Sequence, residues 1–328
     1  MADITTEYLL FLAKAVTAVG ALLAVVVLGA RAARQGREPE RLVVRNLNRR
    51  YRRLAAALRR HVLPRKTFLR FTRAEKAREK QDKDHRAARK RVFVLDFRGD
   101  IRASAVASLR EEITAVLTLA RPEDEVLLRL DNAGGLVHEH GLAASQLQRI
   151  RARGIPLTVA VDKVAASGGY MMACVADRIL AAPFAIIGSI GVLAQLPNLH
   201  RWLDQHGIDF ELIKAGELKR TLTVFGENTE VERAYMQEQI DDTHALFKEF
   251  VAAHRPQVDI DQTANGRYWF ASRAVGLNLV DEIVTSDDYL LAASDRADLF
   301  EVHFTARKPR HPLASVRRIL ESVPWRDR

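Results

Sequence analysis

The chain has one cysteine in 328 residues, Cys174. No intramolecular disulfide can form, and cysteine-built metal sites are excluded with it. Aromatic residues are sparse at 7%, so the arginine-rich part of the chain offers few rings on which bases could stack, and nucleic acid is not an expected partner. Past residue 30 no uninterrupted apolar run is long enough to span a bilayer. The best candidate, 170–196, is broken by Asp177, Arg178, Pro183, Gly188 and Gly191 and reads as buried core elements. No internal repeat is visible.

Charge is present and unevenly spread. Residues 31–91 hold 23 Lys+Arg against 6 Asp+Glu, a net of +17. Once that and the −1 of residues 1–30 are taken from the total of +10, residues 92–328 carry −6. A mildly acidic domain is therefore joined to a basic connector, and the high overall isoelectric point has a local cause. Before the connector, Tyr8–Ala30 is 23 residues with the single charge of Lys14. As a helix it measures about 34 Å, enough to cross a bilayer core. Asp3 and Glu7 precede it where a cleaved signal carries positive charge, so a retained membrane anchor is expected. Arg31, Arg34, Arg37, Arg41 and Arg45 follow at once, which by the positive-inside rule puts the rest of the chain on the cytoplasmic side. Leu42, Leu47, Leu54 and Leu58 hint at an irregular helical stripe between those charges. The expected organisation is an anchor over 1–30, a juxtamembrane connector over 31–91, a main domain over 92–304 and a basic tail over 305–328.

In the main domain, apolar runs predict strands over 92–97, 126–130, 156–161, 178–181 and 210–213. Helical spacing predicts helices over 104–119, 142–150, 228–255 and a short one ending at Val175. Thr229 and Glu232 form a capping box for the longest. Alternating strands and helices imply a parallel sheet of βα units, whose chemistry gathers beyond the strand carboxyl ends.

Ser167 lies between strand and helix and is followed by Gly168 and Gly169. Read on position alone it is an N-cap serine, although free N–H groups at such a turn also favour an anion. Asn132-Ala133-Gly134-Gly135 is a turn after the second strand, and turns commonly contain these residues. Lys219, in a loop, reads alone as solvated. His138 and His140, two apart, point in different directions on a helix, which disfavours a shared metal. Cys174 sits among Met171, Met172 and Val175 and reads as a buried, inert thiol.

In combination, Gly134-Gly135, Ser167-Gly168-Gly169, Gly188-Ser189-Ile190-Gly191 and Lys219 resemble the signal peptide peptidase A family of serine proteases. The most specific segment is 162–192, DKVAASGGYMMACVADRILAAPFAIIGSIGV; SLREEITAVL (108–117) and NLVDEI (278–283) add to it. The likeness runs from about Ala2 to Glu301. It implies an α/β core of the ClpP/crotonase type, with Ser167 as nucleophile and Lys219 as general base. Ser189 would orient the lysine, and the N–H groups of Gly134 or Gly135 with Gly168 would form the oxyanion hole. It further implies no cofactor or metal, polypeptide substrates, a homo-oligomeric ring and the bacterial inner membrane, with a periplasm-facing domain that conflicts with the positive-inside reading. The family's first turn is usually Ser-Pro-Gly-Gly; here Asn132 and Ala133 replace the first two residues, which bears on turn rigidity. Two other classes compete: an acyl-CoA enzyme of crotonase type, disfavoured by Ser167 with Lys219, and a catalytically silent membrane scaffold.

Overall fold

The computed structural model describes residues 10–20, 23, 41–74, 89–216, 219 and 222–305. The chain divides into two units, one of Met1–Arg41 with Thr305–Arg328 and the other of Leu42–Phe304. In the first, residues 10–20 and 23 are helical. The rest of the expected anchor, and the tail from residue 306, lie outside the described residues. Among those described, no helix is long and apolar enough to cross a membrane.

The second unit is a mixed α/β structure. Its elements run β1 (Arg41–Asn46), α1 (Leu47–Val62), β2 (Arg91–Arg98), α2 (Val106–Leu117), β3 (Glu125–Asp131), α3 (Val137–Arg151), β4 (Leu157–Val161), β5 (Val164–Ala166) and α4 (Gly168–Ala173). They continue with β6 (Arg178–Ala181), β7 (Ile186–Gly188), α5 (His200–Gln205), α6 (Glu230–His254), α7 (Ile260–Thr263), β8 (Tyr268–Phe270), α8 (Ala271–Ala274), β9 (Glu282–Ile283), α9 (Ser286–Ala293) and β10 (Asp298–Thr305). Seven strands form one sheet in the order β1-β10-β2-β3-β4-β6-β9, and β5-β7-β8 form a second. From β10 to β9 every pairing in the large sheet is parallel.

Both faces of that sheet are covered, which explains why β2, β3 and β4 read as nearly continuous apolar runs. The alternation of side chains sorts them. Phe93, Leu95 and Phe97 of β2, with Val126, Leu128 and Leu130 of β3, face the core shared with α2, α3 and α4. Val92, Val94 and Leu127 face the opposite cluster with Leu47 and Leu290. Asn48 fastens α1 to this second face: its amide donates to the carbonyls of Ser294 and Ala297, and its oxygen accepts from the Leu299 N–H at 2.7 Å. Residues 42–62, inside the stretch read as connector, therefore belong to the folded unit. Residues 210–213 are not a strand. Their side chains are exposed and they pair with no strand among the described residues, so the aromatic and β-branched content that suggested one has no ladder to join. The α6 helix has the expected capping box at Thr229 and Glu232.

Candidate active site

The site begins where β3 ends. Asn132 bridges in parallel to Ala165; its N–H donates to Val164 O at 2.9 Å, and its carbonyl accepts from the Ala166 N–H at 3.1 Å. Its side chain is buried. Oδ1 accepts from the Gly134 N–H at 2.9 Å, and Nδ2 points at Met172 Sδ, 3.3 Å away. Because Gly134 presents a donor, the amide orientation is fixed. His140, fully buried, stands behind this turn: Nδ1 lies 2.9 Å from Leu136 O and Nε2 3.3 Å from Asn132 Oδ1. One asparagine thus links β3, the glycine turn, α3 and α4.

Ser167 occupies the link between β5 and α4 with φ +51° and ψ −120°. A non-glycine residue there costs on the order of 1–3 kcal/mol and persists only when its surroundings hold it. They do so here: the Ser167 N–H donates to Gly188 O at 2.8 Å and its carbonyl accepts from the Met171 N–H at 3.0 Å. β5 and β7 run parallel with Ala166 opposite Gly188, so Ser167 and Ser189 each follow a member of the same register pair. Ser189 also has positive φ, +53°, and its N–H donates to Arg267 O at 2.7 Å.

Two glycines are required by close approach. A Cβ on Gly134, at φ +94°, would fall 2.8 Å from both the Gly168 nitrogen and the Ser167 Cβ. One on Gly168 would fall 2.5 Å from the His140 ring. The glycine turn therefore lies directly against the start of α4. Of the N–H groups expected to bind an oxyanion, that of Gly134 is taken by Asn132. Among the described residues, those of Gly135 and Gly168 make no hydrogen bond.

Lys219 is exposed, and its N–H donates to Gly216 O at 3.2 Å. Among the described residues no hydrogen bond or ion pair joins its side chain to Ser167 or Ser189. The structure thus brings Ser167, Ser189, Gly134, Gly135 and Gly168 together at one turn. In the chain between residues 193 and 225, Leu193, Trp202, Ile208, Phe210, Ile213 and Phe225 are all exposed, Ile213 at 95%. His138 is exposed while His140 is buried, so the pair does not converge. Among the described residues no cluster could hold a metal. Burial pushes the Cys174 thiol up from its ordinary value, which keeps it protonated and inert.

The structural importance of Asn132 and His140 was not foreseen from the sequence. The signal available was a polar residue at the end of an apolar strand, eight residues before a histidine on the first turn of the following helix.

Comparison with known proteins gives a family for this α/β fold. Residues 3–147 match the description Peptidase family S49 N-terminal, and residues 149–299 match Peptidase family S49. The chain belongs to peptidase family S49. It is 57% identical over 217 residues to a Haemophilus influenzae protein named "Probable protease SohB", covering 66% of this chain and 62% of that protein. A Buchnera aphidicola (subsp. Acyrthosiphon pisum) protein of the same name is 54% identical over 220 residues, covering 67% and 66%. The chain thus matches somewhat less than two thirds of the length of these relatives.

Proposed function

We propose that the protein is a membrane-anchored serine endopeptidase that cleaves peptide bonds through an acyl-enzyme on Ser167, with Lys219 as general base. The observation that carries this reading is the strained Ser167 turn pressed against the glycine turn, with the Gly135 and Gly168 N–H groups unpaired beside it. A serine hydroxyl needs a base to become a nucleophile. Ser167 Oγ attacks the substrate carbonyl carbon while its proton passes to Lys219 Nζ. The carbonyl oxygen becomes an oxyanion held by Gly135 and Gly168, each donor contributing roughly 3 kcal/mol in the transition state. Collapse expels the amine, which takes the proton from Lys219. Water, losing a proton to the same lysine, then attacks the ester; the carboxylic acid product departs and Ser167 Oγ takes that proton back from Lys219.

Lys219 must leave water to act at neutral pH, and a single chain leaves it exposed, as it does the apolar Ile213 earlier in the same stretch of chain. We therefore propose a homo-oligomer in which a second copy covers the segment around Ile213 and closes the site. The span of residues 8–30 is proposed as the anchor in a bacterial inner membrane, and membrane-associated polypeptides as substrates.

The test is labelling with a fluorophosphonate probe. Wild type should be labelled and Ser167→Ala should not; a Ser167→Ala protein labelled as strongly as wild type removes Ser167 from the role. Carbonate extraction tests the anchor separately: association with membranes should resist carbonate in the full chain and vanish on deletion of residues 1–30.

A further inference from the structure

We propose that α1 is a membrane-surface helix, seating its exposed aliphatic stripe in the interface of an anionic lipid bilayer, independently of the anchor and the catalytic site. The helix carries one apolar stripe, Leu47, Tyr51, Leu54, Leu58 and Val62, at spacings of three and four that align on one face. Its first two members pack against the sheet, Leu47 buried and Tyr51 partly so. The stripe then overruns the core. Leu54, Leu58 and Val62 are 60%, 67% and 68% exposed, although they continue the face that is buried one turn earlier. Leu69 and Phe71, in the helical residues that follow, are half exposed as well. The Arg59 guanidinium sits 5.4 Å from the Phe71 ring, which ties the two segments together.

Charge selects the occupant. Residues 41–74 contain twelve Lys and Arg and no Asp or Glu. A helix kept merely solvated mixes both signs, whereas arginine on one face with leucine on the other is the pattern of a helix lying in a lipid interface. Arg49, Arg50, Arg53 and Arg60 are exposed away from or beside the stripe, where they can meet anionic headgroups while Leu54, Leu58 and Val62 enter the acyl boundary. Nucleic acid would satisfy the arginines and leave three adjacent aliphatic side chains in water. A second copy of the helix would satisfy the stripe and bring like charges together.

The experiment uses the full chain reconstituted into vesicles, with an environment-sensitive fluorophore on Leu58→Cys or, on the other side of the helix, Arg53→Cys. Cys174 is buried and stays unlabelled. The vesicles are phosphatidylcholine with phosphatidylglycerol, or phosphatidylcholine alone, each with bromine near the top of the acyl chains, since such helices sink about 5–10 Å. The Leu58 probe should be quenched several-fold more than the Arg53 probe in the anionic vesicles. That quenching should fall by about half or more with neutral lipid, or when Arg49, Arg50 and Arg60 are all changed to Gln. Equal quenching at both positions overturns the proposal. So does a Leu58 probe that responds as strongly to duplex DNA, or to rising protein concentration without vesicles. A failed anchor appears instead as carbonate-extractable protein, with the contrast between the two probes still readable.

Discussion

The two sides of the proposed dyad differ in how they are built. The serine side is packed and over-determined. Ser167 is held in a rare backbone conformation by hydrogen bonds to Gly188 and Met171, and the turn it faces is fixed by buried Asn132 and His140. The lysine side is a loop that buries little of its own apolar surface. Preorganised groups gain most where charge develops without reorganisation, which suits the proposed nucleophile and oxyanion donors to the rigid side. The proposed base sits on a segment whose environment a second copy of the chain would complete.

The comparison predicts a graded series of effects. Ser167→Ala should lower kcat by roughly 10⁴-fold or more while leaving the thermal melt within a few degrees, or higher, because alanine removes no packed side chain. A steady-state assay with a matched circular dichroism melt checks both. Lys219→Arg should cost about 10²–10⁴-fold in kcat, since arginine keeps the charge and cannot accept a proton. Normal cleavage by that variant would return Lys219 to the role of a surface residue.

The packed side of the molecule also contains a pH-sensitive carboxyl. Burial of Glu112 on α2 pushes it up to about 7, against the Phe304 N–H that its Oε1 accepts, and the charge of Asp96 adds to the rise. His303 Nδ1 lies 3.5 Å from the same oxygen. The folded state keeps this proton up to about 7, while an unfolded glutamate releases it near 4.5. The stability it contributes is therefore complete below the unfolded value and lost as pH rises through the folded one, by up to about 3 kcal/mol. Denaturant melts across that range should show the slope, and Glu112→Gln should flatten it.

Smaller effects separate the two sides further. Gly168→Ala places a methyl 2.5 Å from the His140 ring and should cost about 1–3 kcal/mol through overpacking, with a loss of activity because the start of α4 must move. Ile213→Ser, on the exposed side, should change the stability of the isolated chain by no more than about 0.5 kcal/mol while weakening self-association measured by light scattering. A large loss of stability from the second and none from the first would reverse the comparison.

Much of the packed side was legible in the sequence. β2, β3, β4 and β6 appear as apolar runs because both faces of their sheet are covered, and α6 announces itself through Thr229 and Glu232. The strands that shape the site were not legible. β5 and β7 have three residues each, too few for any period to show, and β9 has two. Helix α3 starts at Val137 rather than Leu142, and those extra residues are what turn His140 inward toward Asn132. The replacement of Ser-Pro by Asn132-Ala133 pointed to altered turn rigidity; the structure shows the asparagine side chain itself bracing the turn. On the lysine side, the aromatic and β-branched residues of 210–213 suggested a strand because propensity reports side-chain type, and among the described residues no strand pairs with them.

If Ser167 is the nucleophile, its reactivity depends on Lys219. The most direct measurement is the rate of fluorophosphonate modification, with the adduct mapped by mass spectrometry, in wild type and in Lys219→Met. A single adduct should form, on Ser167, at least about a hundredfold more slowly when Lys219 is replaced. An adduct on another residue, or an unchanged rate in Lys219→Met, would contradict it.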